Sequence, residues 1–370
     1  MGKHGKKQNL NHRRGKRTSY TVEEEDDGEI NEYPPQPSSS SATLSDSDQE
    51  SQEEDKDAAV IDGELPSKFS LYQQSVQSPK GDISYLQKFF LMYVGGRVPL
   101  HLQEDFCGTA LLSTEWLRSD ARRTAVGLDL DVEALNWCVE NNVNRIGADI
   151  YSRIFLFHGN VLEPLESKLV KSDPNEIIQN ISLKDIESDP HNSKSLKDIQ
   201  LPERDIVCAF NYSCCCLHNR KELILYFKHA LNALSKKGGI FAMDLYGGTS
   251  SEGVLKMQRR FPNFTYVWEQ DEFDIIQRKT RISLHFNLHK QHRKLRHAFS
   301  YSWRLWSLPE VKDCLEEAGF RSVHFWIRSM PDSEQIRSMD GFSVGRNVKY
   351  EEATSFQQQD SWNAYIVGVA

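Results

Sequence analysis

One stretch, Leu100 to Asn142, constrains the fold more than any other. An extended run, Leu100-His101-Leu102-Gln103-Glu104-Asp105, enters a turn of small residues, Cys107-Gly108-Thr109-Ala110. The next segment carries Leu111, Leu112, Trp116 and Leu117 at helical spacing. A second extended run, Thr124 to Leu130, closes on a carboxylate at Asp129. Strand, tight turn, helix and acid-terminated strand form the mononucleotide-binding half of a doubly wound sheet. Such a turn lets a ligand approach the backbone, and an acid about twenty residues on accepts hydrogen bonds from ribose hydroxyls.

On these residues the segment resembles the first two motifs of class I S-adenosylmethionine-dependent methyltransferases, where a Gly-Cys-Gly-Thr-Gly turn is common. Aligned on Cys107-Gly108-Thr109, the outer glycines fall on Phe106 and Ala110, so one glycine of three is present. The resemblance implies S-adenosyl-L-methionine as cofactor. It assigns Asp129 to the ribose, Cys107 and Gly108 to close backbone approach, and Glu104 or Asp105 to the methionine amino group. Phe106, Thr109 and Leu130 flank these positions and are carried with them as cofactor-binding residues.

The rest of the chain continues the pattern. Asp131 to Asn142 reads as a helix capped by Asp131. A third strand, Ile154 to Phe157, leads into His158-Gly159-Asn160-Val161. By resemblance Asn160 takes the adenine amino group, with Val161 beside it; the alternative is an amide that braces its own turn. Asp205 to Phe210 is a fourth strand. Phe210 then borders the cofactor, and Asn211 and Tyr212 stand on the acceptor side. Leu223 to Leu234, Lys236-Lys237-Gly238-Gly239 and Ile240 to Tyr246 read as helix, cap and fifth strand. Asp244 near its end is a candidate general base or substrate anchor, or a structural cap. After a capping box at Ser307-Leu308-Pro309-Glu310, Phe320 to Ile327 and Asp360 to Val369 supply two more strands. The fold class expected is α/β, a doubly wound and mostly parallel sheet of seven strands.

Three segments depart from that frame. Residues 264–306 alternate like antiparallel strands and resemble the appendage that small-molecule methyltransferases fold across the active-site mouth. Residues 163–203 hold four prolines without a sustained period and read as an inserted surface loop. Two apolar-rich runs from Lys68 to Tyr93 read as helices, the second with Asp82 as N-cap. The resemblance lays the first over the cleft, with Tyr72, Gln73 and Gln77 towards the methionine end; the bland reading is ordinary packing.

Composition matters chiefly at the N-terminus. Residues 1–65 hold 8 Lys and Arg against 16 Asp and Glu, and so carry the whole net charge of −8. Residues 1–67 are a basic-then-acidic tail too poor in apolar area to order itself. Its seven basic residues in positions 1–17 are a candidate contact for nucleic acid or an import receptor, or a solvated tail. The remaining body, 68–370, is formally neutral and offers no global field for nucleic acid. No apolar run has the roughly 18 residues of a membrane span. Seven irregularly spaced cysteines suit a reducing compartment, cytoplasm or nucleus. The adjacent Cys214-Cys215-Cys216 lack metal-ligand spacing and read as packed thiols.

The functional expectation is methyl transfer to an acceptor, a small molecule in preference to a macromolecule. The alternative is a non-catalytic module of the same fold that binds RNA or protein.

Overall fold

The computed structural model describes residues 65–145, 147–170, 194–330 and 349–370. The tail and most of the 163–203 insert lie outside them.

The chain enters through two helices, α1 (Lys68–Ser75) and α2 (Pro79–Tyr93). Proline in the first turn of α2 supplies a preset φ where no N–H is needed. Ser78 is the N-cap there and Asp82, expected in that place, sits in the first turn. Then come β1 (His101–Asp105), α3 (Leu111–Arg118), β2 (Thr124–Asp129), α4 (Val132–Cys138), α5 (Ala148–Arg153) and β3 (Ile154–His158). Asp131 caps α4, its carboxylate accepting from the Ala134 amide. The two-residue strand β4 (Lys168–Leu169) pairs antiparallel with β3.

Beyond the insert follow β5 (Ile206–Ala209), α6 (Arg220–Ala233) and β6 (Ile240–Gly247). The strands β7 (Leu255–Arg260), β8 (Phe264–Gln270), β9 (Lys279–Leu288) and β10 (Arg293–Arg304) make a separate antiparallel sheet. The last elements are α7 (Leu308–Ala318), β11 (Ser322–Ser329), β12 (Glu351–Glu352) and β13 (Trp362–Val369). The capping box of α7 is formed, with Ser307 and Glu310 bonding each other's backbone amides.

The main sheet runs β12-β11-β13-β6-β5-β1-β2-β3-β4. Strands β3, β2, β1, β5 and β6 are mutually parallel, and β13 returns antiparallel between β6 and β11. Seven strands form its body; β4 and β12 only trim the edges. Because side chains alternate along a strand, each face has its own core. One packs Val126, Leu128, Val207 and Phe241 beneath α6 and α7. The other packs Leu102, Ala125, Ile206 and Ala242 beneath α2, α3 and α4. A smaller cluster joins Leu71 of α1 to Phe264 and Phe286 of the second sheet.

Strand order reverses at β1, with β2 on one side and β5 on the other. The crevice beyond the carboxyl ends of strands at such a reversal is the natural ligand site of an open α/β sheet. Among the described residues no helix is long and apolar enough to cross a membrane.

Candidate active site

A cleft of about 800 Å³ opens at that reversal. Its floor is made by the turn after β1, the end of β2 and the loop after β5; α1 and the second sheet roof it.

The turn after β1 keeps a glycine-type backbone without the glycines. Phe106, Gly108 and Ala110 have φ of +55°, +52° and +45°. The left-handed region suits glycine and costs an L-residue roughly 1–2 kcal/mol. Packing holds Phe106 there, its ring edge-on to Tyr226 at 5.6 Å, while Ala110 is fully buried. A Cβ on Gly108 would meet nothing within 4 Å, so the turn faces open space.

Asp129 fixes this turn. One carboxylate oxygen accepts from the Gly108 amide at 2.6 Å, the other from the Asp131 amide at 2.8 Å. Burial raises its pKa above the ordinary carboxylate range, against the pull of those amides. Cys107, Thr109, Leu130 and Asp131 also line the cleft. Thr109 is clamped from above, its hydroxyl accepting from Gln73 Nε2 of α1 at 2.7 Å. Tyr72 of α1 faces the cleft and packs on Phe299 of β10, ring centroids 5.0 Å apart.

Four of the residues expected at the cofactor lie off the cleft wall. Glu104 and Asp105 are still within β1, so alternation sends them to opposite faces of the sheet. Glu104 is buried on the α3 side and accepts from the Ser113 amide at 2.9 Å and its hydroxyl at 2.6 Å. It thereby serves the first turn of α3, whose N-cap position, Ala110, has no side-chain acceptor. Asp105 faces α6 and accepts from Gln103 Nε2 at 2.9 Å and Tyr226 Oη at 3.0 Å. It lines a separate cavity of about 350 Å³, as does the buried Val161. Asn160 braces its own turn, Oδ1 accepting from the Leu162 amide at 3.0 Å. That bond takes one of the two lone pairs of its carboxamide oxygen.

On the acceptor side, Phe210, Asn211 and Tyr212 all border the cleft. Asn211 and Tyr212 both have left-handed backbones, φ +60° and +59°. Their amides donate to the two oxygens of Asp244, at 3.0 and 2.7 Å. Asp244 is therefore the brace of this loop, the structural alternative of the sequence reading. Burial drives its pKa up to about 8.

Much of the remaining wall was not singled out from the sequence. The inner face of the second sheet carries Tyr266, Trp268, Tyr301 and Trp303. Their alternation along β8 and β10 is the signal that could have assigned them. Asp82 of α2, Arg328 of β11, and Asn363 and Tyr365 of β13 close the far end. Tyr365 donates its hydroxyl to Asp82 at 2.5 Å. Of the three adjacent cysteines, Cys214 and Cys215 are buried, and Cys216 is exposed on the cleft. Among the described residues no three His, Cys, Asp or Glu side chains are placed to hold a metal ion.

Besides Asp129, burial raises four carboxyl pKa values in and beside the site: Asp82 and Asp105 to about 6, Glu104 to about 7, Asp244 to about 8. Each keeps a proton in the folded protein that the unfolded chain releases near pH 4. Their contribution to stability is complete below about pH 4 and disappears as pH rises through 6 to 8. The melting temperature is thus expected to fall between pH 5 and 8.5 in scanning calorimetry. A profile that rises across this range would contradict the burial of these groups.

The strand order, with an antiparallel last strand inserted between the fifth and sixth of the sheet's body, is the Rossmann-like fold of class I methyltransferases. No family model matches the chain, and no curated protein matches it in sequence. Among solved structures it is similar to an S-adenosylmethionine-dependent methyltransferase from Clostridium acetobutylicum: 12% identity, 81% of this chain and 96% of that one covered, TM-score 0.49. It is also similar to DesVI of Streptomyces venezuelae, with 13% identity, 81% and 94% coverage and a TM-score of 0.49. A third is CalS10, an amino pentose methyltransferase from Micromonospora echinaspora solved with S-adenosylmethionine bound: 12% identity, 81% and 94% coverage, TM-score 0.48.

Proposed function

We propose that the protein transfers a methyl group from S-adenosylmethionine to a small-molecule acceptor held in this cleft. One observation carries the reading: three consecutive alternate positions, 106, 108 and 110, adopt left-handed backbone beside Asp129 at the strand-order reversal. Strained backbone of this kind gathers at ligand sites, and here it stands at the carboxyl edge of the sheet beside an acid. The residues fit the cofactor. The Cα of Gly108 faces open space, and each Asp129 oxygen, bonded to one amide, retains a lone pair for a ribose hydroxyl.

When bound, S-adenosylmethionine supplies a methyl group on a positively charged sulfur, which keeps the electron pair of the broken S–C bond. The protein's share is binding, alignment and exclusion of water. Asp129 grips the ribose and Asp131 adds negative charge nearby. The faces of Tyr72 and Tyr301 attract a cation and wall off solvent. Asn211 and Tyr212 present the acceptor from the other side of the reversal. A roofed cleft of this size suits a small acceptor in preference to an RNA or protein surface.

Isothermal titration of the full chain tests the reading. S-adenosylmethionine and S-adenosylhomocysteine are each expected to bind once per chain, with dissociation constants on the order of micromolar. Absence of heat with both ligands, together with unshifted melting temperatures, would overturn it.

A further inference from the structure

Arg328 stands at the end of the cleft farthest from the cofactor side. It lies on β11, beside Asn363 of β13, which in turn pairs with Tyr246 of β6. Four strand spacings separate β11 from β1, roughly 19 Å at ~4.8 Å each. The guanidinium carbon sits 4.6 Å from the ring centre of Tyr350. Its Nε is buried and has no hydrogen-bond partner, and no carboxylate of the described residues comes within 4 Å of the group.

Arg123 and Arg153 also keep a buried Nε without a partner, but their Nη groups donate within the protein, and no such donation is found for Arg328 among the described residues. Arg97 is paired with Asp205, Arg304 with Glu310, and Arg153 donates to three backbone carbonyls. A buried guanidinium N–H left without an acceptor is costly unless a ligand completes it. Asp82 is near enough to feel its charge, but among the described residues it makes no ion pair within 4 Å and its Oδ1 accepts from the Tyr365 hydroxyl. Three more buried polar atoms on the same cleft, Gln77 Oε1, Trp268 Nε1 and Trp303 Nε1, also have no partner.

We propose that the methyl acceptor carries an oxyanion, a carboxylate or a phosphate, and that Arg328 binds it at the far end of the cleft. The planar guanidinium suits either group through paired N–H donors, with Tyr350 fixing its plane. Arg259, which has no ion pair among the described residues, adds positive charge from the roof. The inference rests on the methyl-transfer reading, since it assigns the opposite end of the cleft to the cofactor.

The test is calorimetry on full-length protein saturated with S-adenosylhomocysteine, which removes the cofactor's own carboxylate subsite from competition. Benzoate, phenyl phosphate and the neutral benzamide are the probes. At least one oxyanion is expected to bind ten times more tightly than benzamide, and the stronger arm distinguishes carboxylate from phosphate. Arg328→Gln is expected to weaken that probe at least tenfold, and Arg328→Lys to recover part of the loss. Affinity for S-adenosylhomocysteine should stay within threefold in both variants. Equal binding of the oxyanion by Arg328→Gln, equal binding of benzamide, or no oxyanion binding to a protein that does take S-adenosylhomocysteine overturns the inference. A wild-type protein that binds no S-adenosylhomocysteine sinks the methyl-transfer reading itself, a separable outcome.

Discussion

Asp129→Ala is expected to lower affinity for S-adenosylhomocysteine about 100-fold. The proposed grip on the ribose consists of hydrogen bonds to a charged acceptor, each worth about 1.5–3 kcal/mol. Losing even one or two amounts to about 3 kcal/mol, or two decades in the dissociation constant at ~1.4 kcal/mol per decade. The same carboxylate holds the Gly108 amide at 2.6 Å, so its removal also frees the turn that must receive the ligand. Asp129→Asn separates the two contributions. The amide oxygen retains one acceptor, so the loss should be nearer tenfold, while the turn keeps one of its two anchors. Melting curves of both variants report the brace, and titration reports the grip. Wild-type affinity in Asp129→Ala would show that the acid serves the turn alone.

The half of the site around Asp129 is legible in the sequence because it is local. Apolar periodicity marks β1, α3 and β2, and an acid ending β2 sits a fixed distance along the chain from the turn. The turn's conformation is not legible, since glycine is the usual mark of left-handed backbone and Phe106 and Ala110 conceal it. Assigning Glu104 and Asp105 to the cofactor required the strand to end before them. It runs to Asp105, and the pleat carries both into the cores. Asn160 illustrates a local competitor winning, its side chain closing an Asx turn before any ligand is considered. The far wall draws Asp82, Arg328, Tyr350 and Tyr365 from separate segments, and only the β11–β13 register brings them together. The edge strand β7 was invisible for a related reason. Leu255-Lys256-Met257-Gln258-Arg259-Arg260 has no β-branched residue, and its extended form comes from pairing with β8.

The largest loss of stability in the site is expected at Asp244. Asp244→Ala leaves the amides of Asn211 and Tyr212 without their acceptor in a part-buried loop, at about 1–3 kcal/mol for each buried donor. Both residues are held in the left-handed region, so the loop has every reason to relax once its brace is gone. A total of about 2–5 kcal/mol corresponds to a melting temperature lower by roughly 5–15 °C for a body of this size. Asp244→Asn keeps one oxygen for one amide but sets an NH2 group against the other, and about half the loss should remain. This pair of variants also separates a brace from a general base. With a pKa near 8, a base at this position would make methyl transfer rise with pH through that value. A brace instead predicts that Asp244→Asn, assayed below its melting transition, keeps the pH profile of the wild type. If Asp244→Ala melts within 2 °C of the wild type, the loop is held by Ser213 and the aromatic contacts of Tyr212 alone, and the carboxylate is free for chemistry.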